Sequence, residues 1–352
     1  MANKDLHDAK KVKNDEFYTQ LSDIDRELKY YKHYFRGKTI LCNCDDPRIS
    51  KFFYFFYSKF HSLGLKRLIS TCYKNLNPDL FSQNLDEQAV YCIYDGKDRA
   101  NDVITDYDTF IRQNEWGIFK GDGDFRSPEC IDLLKQVDIV CTNPPFSLFR
   151  EYATQLVKYE KNFIIIGNKN AITYKEIFRL IKENKLWVGY TPMGADMLFD
   201  VPDDFAKSVV IGKKEGSSYR IVDGVVKGRS QAVWFTNFDI KKRHEEIVLY
   251  KNYSPKEFPK YDNYDAIEVS KVSEIPQDYD GAMGVPITFL DKYNPDQFEI
   301  LGLANDKRDD NEIFIKGEPY YLDEQHKSFV GMVLKGKATY ARILIKRKKN
   351  EH

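Results

Sequence analysis

The stretch Asp138-Ile-Val-Cys-Thr-Asn143-Pro144-Pro145-Phe146 holds residue types that could act together on a ligand. An apolar run leads into an asparagine, two prolines and an aromatic ring, and an amphipathic stretch follows. Two prolines deny a sheet its N–H donors and hold a fixed loop at the strand's C-terminal end. In an open α/β sheet that edge is where ligands bind. Asn143 can present its amide oxygen beside the outward-facing carbonyl of Pro144. Two acceptors held close together suit a primary amine, and Phe146 offers a ring on which a planar heterocycle can stack. An exocyclic amine is a poor nucleophile because its lone pair is delocalised into the ring. Paired acceptors favour a tetrahedral nitrogen and stabilise the positive charge that develops as it attacks. Such a site works by alignment and electrostatics and needs no metal and no covalent nucleophile. The plain alternative is an ordinary turn, since Asn-Pro and Pro-Pro are common loop punctuation. The strand before and the helix after favour a site.

The elements that must position this loop alternate along the chain in the manner of an α/β sheet. Lys38–Cys42 is expected as the first strand and Ser50–Leu63 as the first helix. Strands are expected at Leu68–Cys72, Val90–Tyr94 and Trp116–Phe119, the last ending at the Gly121-Asp122-Gly123-Asp124 turn. Pro128–Gln136 reads as a helix, Asp138–Cys141 as a strand, Ser147–Tyr159 as a helix, and Phe163–Ile166 as a strand stopping at Gly167. Continuous apolar strands are usually covered on both faces, which points to a largely parallel sheet. Tyr219–Val226 reads as a hairpin turning at Asp223-Gly224, with a further strand at Ala232–Thr236. Beyond about 240, short segments are separated by Pro, Gly, Asn and Asp. The expected organisation is a flexible tail at 1–14, a catalytic domain at 15–240, and a region at 241–352 packed on it.

Composition bounds the class. The 352 residues are 42% hydrophobic and 31% charged, with 24 Tyr and 24 Phe, as in a folded protein. No apolar run approaches the roughly 20 residues of a membrane span, and no secretory signal is read at the start. A cytoplasmic address is expected. The 54 basic and 54 acidic residues cancel, which by itself argues against a nucleic-acid binder. Lys10, Lys11, Lys13 and the run Lys346–Lys349 are basic clusters that read as solvated tails. Six cysteines lack C-x-x-C or zinc-type spacing and read as small, reduced, buried residues.

On these residues the chain resembles the EcoRI-type adenine-specific DNA methyltransferase family. Asn143-Pro144-Pro145-Phe146 matches the (Asn/Asp/Ser)-Pro-Pro-(Tyr/Phe/Trp) loop that holds the target amine in such enzymes. Asn14–Gln20, with Phe17, Tyr18 and Thr19, is similar to the segment that lies against the methionine part of S-adenosylmethionine. Leu41–Pro47, with Asn43, Asp45 and Asp46, resembles the variant loop after the first strand. Asp124 and Phe125 look like the pair that receives the cofactor's adenine, and Tyr340–Ile345 is a weaker likeness near the C-terminus. The resemblance covers about residues 14 to 347. It implies a Rossmann-like S-adenosylmethionine-dependent methyltransferase sheet with a C-terminal mixed α/β target-recognition part. It also implies methylation of adenine N6 in double-stranded DNA, with the target base flipped out. The enzyme is expected to belong to a restriction-modification system, or to be an orphan or phage equivalent. A matching restriction endonuclease would share its recognition site without direct contact.

Departures keep alternatives open. The loop Asn43-Cys44-Asp45-Asp46 has no glycine where most methyltransferases have Gly-x-Gly. No acid ends the second strand near Thr71-Cys72-Tyr73 to bind ribose, so Asp45 or Asp46 is a candidate substitute. Asp45-Asp46-Pro47 also reads as a helix N-cap, and Asp124 as an Asx-type turn. Lys169, Lys213, Lys214, Lys227, Arg229 and the 346–349 cluster are candidate phosphate contacts, though each alone reads as a surface charge. Competing functions are methylation of cytosine N4 or of an RNA base, and a catalytically inactive nucleic-acid-binding relative. A dehydrogenase ranks last because Gly-x-Gly-x-x-Gly is missing.

Overall fold

A computed structural model describes residues 19–44, 46–73, 88–97, 106–195, 197–201, 206, 219–305, 313–322 and 329–348. The expected flexible tail at 1–14 lies outside these residues. Two compact units emerge: 1–169 with 189–236, and 170–188 with 237–352.

The first unit is built on strands β1 (Thr39–Asn43), β2 (Arg67–Cys72), β3 (Val90–Tyr94), β4 (Gly117–Ile118), β5 (Ile139–Thr142) and β6 (Asn162–Asn168). They lie in the order β4-β3-β2-β1-β5-β6, continued by Ala232–Thr236. The centre, β2-β1-β5-β6, is parallel. β3, β4 and Ala232–Thr236 run antiparallel to their inner neighbours. The sheet is therefore parallel only at its centre, where a largely parallel one was expected. Apolar continuity records burial of both strand faces and says nothing about direction.

Local chemistry explains the boundaries. Ser50 caps the helix Lys51–Ser58 by accepting from Phe53 N at 3.1 Å, so the cap of this helix is Ser50, where Asp45-Asp46-Pro47 offered an alternative reading as the N-cap. That helix is aromatic nearly all round, and Phe52, Phe53, Phe55 and Phe56 are all buried. Ser127 caps Pro128–Lys135, with proline at the first turn. β6 continues past Gly167 to Asn168. A Cβ at Gly167 would lie 2.4 Å from the Phe149 ring. The glycine thus admits the helix that follows the Asn-Pro-Pro-Phe loop, and does not end the strand.

In the second unit, Arg342–Arg347 is the central strand of the order Ile267–Glu268, Met283–Pro286, Arg342–Arg347, Phe298–Ala304, Phe314–Ile315. Ile343, Leu344 and Ile345 are fully buried, and Arg342 meets the buried Glu268 carboxylate at 2.9 Å. The likeness at Tyr340–Ile345 therefore falls on a core strand. After Thr236 the described residues hold strands and 3-10 turns and no α-helix, where a mixed α/β part was expected. Segments broken so often by Pro, Gly, Asn and Asp leave no room for helical turns. Among the described residues, the α-helix of this unit is Lys175–Lys182, from a stretch expected inside the catalytic domain. Its Ile177, Phe178 and Ile181 are buried, and Lys182 Nζ donates to Leu301 O at 2.7 Å. No helix among the described residues is long and apolar enough to cross a membrane.

Candidate active site

β1 and β5 are adjacent and parallel, so their C-terminal ends emerge side by side. Asn43 closes the first and Asn143 follows the second. Thr142, the last residue of β5, donates its hydroxyl hydrogen to the Asn43 carbonyl, and the Tyr152 hydroxyl donates to Asn43 Oδ1. Asn43 is thereby tied to both sides of the Asn-Pro-Pro-Phe loop. At the other end of β5, Asp138 accepts from Thr39 N at 2.8 Å. It sets the β1–β5 register and lies at the sheet edge opposite the loop.

The loop itself is enclosed. Asn143 is 3% exposed and Phe146 8%, Pro144 is buried, and Pro145 is half-buried. Asn143 Oδ1 is a buried oxygen that receives no hydrogen bond, while the residue meets its surroundings through other atoms. Phe146–Leu148 forms a 3-10 turn that passes directly into the helix Phe149–Lys158.

Tyr152, on that helix, was not singled out by the sequence. It is 1% exposed, and its ring stands edge-on to Phe125 with centroids 5.0 Å apart. Gln155 Nε2, one turn on, donates to Phe125 O at 3.0 Å. One helix thus holds both Asn43 and Phe125, two of the residues expected at the cofactor. No sequence signal distinguishes Tyr152 from any other tyrosine on the buried face of an amphipathic helix. Tyr152→Phe would leave the Asn43 amide oxygen buried without its donor, at a cost of about 1–3 kcal/mol. Denaturant unfolding should show that loss, and S-adenosylmethionine titration should show weaker binding.

The loop after β1 solves its glycine problem differently. Cys44 takes φ 63°, the left-handed region that glycine favours. The chain therefore turns sharply there with a side chain present. Asp46, 1% exposed, accepts from Arg48 N at 3.0 Å and from Arg48 Nε at 2.8 Å, and Tyr107 donates its hydroxyl hydrogen to Pro47 O. These bonds commit the Asp46 carboxylate to shaping the loop.

Asp124 follows Gly123, whose φ is 75° and where a Cβ would lie 2.7 Å from Cys72 O. The Asp124-Phe125 corner is thereby pressed against the C-terminal end of β2. The expected Asx-type turn is present, with Arg126 N donating to Asp124 Oδ1 at 2.8 Å. Arg126 Nε and Nη2 also bind the carboxylate, at 2.9 and 2.7 Å. This guanidinium, bonded to the Asp124 side chain, holds its pKa below the ordinary carboxylate value. Phe125 is buried.

Thr19 opens the described chain and is 4% exposed, and its Oγ1 has no hydrogen-bond partner. Phe17, Tyr18 and Asp45 lie outside the described residues. Among the predicted site residues, the structure therefore brings Asn43, Asn143, Pro144, Pro145, Phe146 and Phe125 around the β1 and β5 ends and Tyr152. Asp124 and Asp46 stand beside them with their carboxylates engaged by arginine. None of the six cysteines forms a disulfide, and burial pushes the Cys92 thiol up to about 12 and Cys130 to about 11.

The family described as "Adenine-specific methyltransferase EcoRI" matches residues 5–348. The type II methyltransferase M.EcoRI of Escherichia coli is 45% identical over 349 residues, covering 99% of this chain and 97% of that protein. The type II methyltransferase M.MpnI of Mycoplasma pneumoniae is 40% identical over 349 residues, covering 97% and 98%. The type II methyltransferase M.MgeORF184P of Mycoplasma genitalium is 40% identical over 307 residues, covering 84% and 86%. No solved structure matches the chain.

Proposed function

Because this chain belongs to the adenine-specific methyltransferase EcoRI family, we propose that its Asn143–Phe146 loop is the place where the adenine amine is held for methylation. The chain is a site-specific, adenine-specific DNA methyltransferase of the restriction-modification type. One observation carries the assignment of the site. The Asn-Pro-Pro-Phe loop stands at the C-terminal end of a central parallel strand, tied through Asn43 to the end of its neighbour.

The reaction follows from the loop's chemistry. Adenine N6 inside a duplex cannot reach an enclosed loop, so the base is flipped out at a cost of a few kcal/mol, about what stacking and pairing supply. Asn143 Oδ1 and Pro144 O accept the two amine hydrogens and draw the nitrogen lone pair out of conjugation with the ring. They also stabilise the positive charge that grows on nitrogen during attack. Phe146 stacks on the base. Burial of the loop keeps these oxygens out of bulk water, and away from that high dielectric their interaction with a developing charge is stronger.

S-adenosylmethionine, when bound, supplies a methyl group already activated by its sulfonium. The residues fit such a ligand: Thr19 offers a buried hydroxyl with no protein partner, and Asn43 and Phe125 are fixed by the same helix. We assign cofactor contacts to Thr19, Asn43, Asp124 and Phe125, and to Phe17, Tyr18 and Asp45 from sequence. Asp46 acts with Arg48 by shaping the loop. Double-stranded DNA is the partner, the 241–352 region is assigned to target recognition, and the compartment is the cytoplasm. A restriction endonuclease would share the recognition site without touching this chain.

Incubating the protein with methyl-labelled donor and mixed-sequence duplex DNA, then digesting to nucleosides, tests the reading. Label in N6-methyladenine at one sequence context is the expected result. Label in N4-methylcytosine, in RNA only, or nowhere would overturn it.

A further inference from the structure

The helix Phe149–Lys158 continues the amine-binding loop without a break, and three of its side chains reach one corner of the first unit. Glu151 and Gln155 are one turn apart and share a side of the helix, with Tyr152 beside them. Gln155 holds the Phe125 carbonyl, and Tyr152 stands edge-on to the Phe125 ring. Glu151 adds a third hold, its Oε2 accepting from Arg126 Nη1 at 2.8 Å across 25 residues of chain.

Arg126 divides its donors between two carboxylates. While Nη1 serves Glu151, Nε and Nη2 form a fork on Asp124 at 2.9 and 2.7 Å, and the Arg126 backbone N–H meets Asp124 Oδ1 at 2.8 Å. Among the described residues, Oδ1 therefore accepts two hydrogens and Oδ2 one. A carboxylate oxygen offers about two acceptor positions, so Oδ2 keeps one for a ligand. The Asp124 side chain is 28% exposed and can be reached.

Magnitudes decide what this network is for. The side chains of Arg126 and Glu151 are 48% and 59% exposed, and ion pairs so open to water add little to stability. A planar guanidinium fork nevertheless fixes direction. Its effect is to orient one carboxylate, and the reference for that orientation is the helix that carries the amine-binding loop.

We infer that Arg126 is a positioning residue for the methyl donor. It turns Asp124 Oδ2 toward the exocyclic amine of the cofactor's adenine. Through Glu151 it also sets that corner in register with the loop that holds the target amine. This rests on the proposed function, because the cofactor's adenine must lie at the Asp124-Phe125 corner.

Calorimetry on the full chain tests the role without methyl transfer. The two probes are S-adenosylhomocysteine and S-inosylhomocysteine, which carries a carbonyl in place of the amine. A fixed carboxylate accepts from the amine and opposes the carbonyl, so wild type should prefer the adenosyl compound by roughly tenfold or more. Their ratio cancels any loss common to both. Arg126→Gln should narrow the preference by about threefold or more, within the range of one hydrogen bond, while its urea midpoint stays near that of wild type. Glu151→Gln keeps the fork, frees it from the helix and should narrow the preference less. Combining the two should cost no more than Arg126→Gln alone, since Glu151 acts through Arg126.

An unchanged preference in Arg126→Gln overturns the inference, as do losses at 126 and 151 that simply add. Arg126→Lys keeps the charge without the fork and should recover only part of the preference. Full wild-type preference there would overturn the positioning role, and this variant decides the matter should Arg126→Gln fail to fold. Wild type that binds neither probe removes the cofactor corner and the inference with it. Wild type that shows the preference but methylates no DNA removes the enzyme and leaves the inference standing. Active wild type with an unaltered preference in Arg126→Gln removes the inference alone.

Discussion

Replacing Asn143 with alanine is expected to cut methyl transfer to adenine by about 10²–10³-fold or more, the usual cost of deleting a preorganised group aimed at transition-state charge. The amide oxygen contributes little to the ground state, because a neutral aromatic amine gains only an ordinary hydrogen bond from it. Its effect grows as the nitrogen becomes cationic, so the loss falls on kcat and much less on KM for DNA. Affinity for S-adenosylmethionine should change little, since the cofactor contacts are assigned to other residues. Asn143→Asp retains acceptor oxygens at the same place and should keep part of the activity. Single-turnover assays with labelled donor, alongside cofactor calorimetry, would measure this. Wild-type rates in Asn143→Ala would remove the loop from the mechanism. Equal loss of cofactor binding would make Asn143 a structural residue.

The second large effect is expected at Glu27, a fully buried carboxylate in the helix Leu21–Leu28. It accepts from the Tyr31 hydroxyl at 2.9 Å, from Tyr190 N and Thr191 N at 2.7 Å each, and from Thr191 Oγ1 at 2.6 Å. A Cβ at Gly189 would lie 2.2 Å from Glu27 Oε1, so glycine is what lets that turn close on the carboxylate. Burial and the neighbouring Glu27 together hold the Tyr31 hydroxyl protonated well above the ordinary tyrosine range, which keeps it a donor. Glu27→Leu would strand the Tyr190 and Thr191 N–H groups and take the carboxylate acceptor from the Thr191 and Tyr31 hydroxyls. Roughly 3–5 kcal/mol of stability should be lost. Glu27→Gln, which turns one acceptor into a donor facing donors, should lose less. The same helix begins two residues after Thr19, so affinity at the proposed cofactor site should fall along with stability. Urea unfolding of the two variants would measure the first effect. A Glu27→Leu protein as stable as wild type would show that water satisfies those donors.

Much of this protein can be read along the chain because the relevant physics is local. Continuous apolar runs placed β1, β2, β3, β5 and Ala232–Thr236 to within a residue or two. Asp223-Gly224 announced its turn through the residues that tolerate positive φ. The Asn-Pro-Pro-Phe loop was legible because two prolines after an apolar strand constrain the backbone without help from elsewhere.

Other features appear only when the chain is folded, because their partners are far apart in sequence. Tyr152 lies 109 residues from Asn43, and Glu27 lies 164 from Thr191, and no period in either segment encodes the other. Strand direction at the sheet margins, the grouping of 170–188 with the C-terminal unit, and the capture of Asp46 by Arg48 were decided in the same way. So was the register that puts Arg220 opposite Lys227 on the Tyr219–Ser230 hairpin. The sequence determined which groups could act on an amine. The pairing of β1 with β5, and of Ala232–Thr236 with β6, determined which of them meet, since hydrogen bonding between strands remote along the chain sets neighbours that no local pattern records.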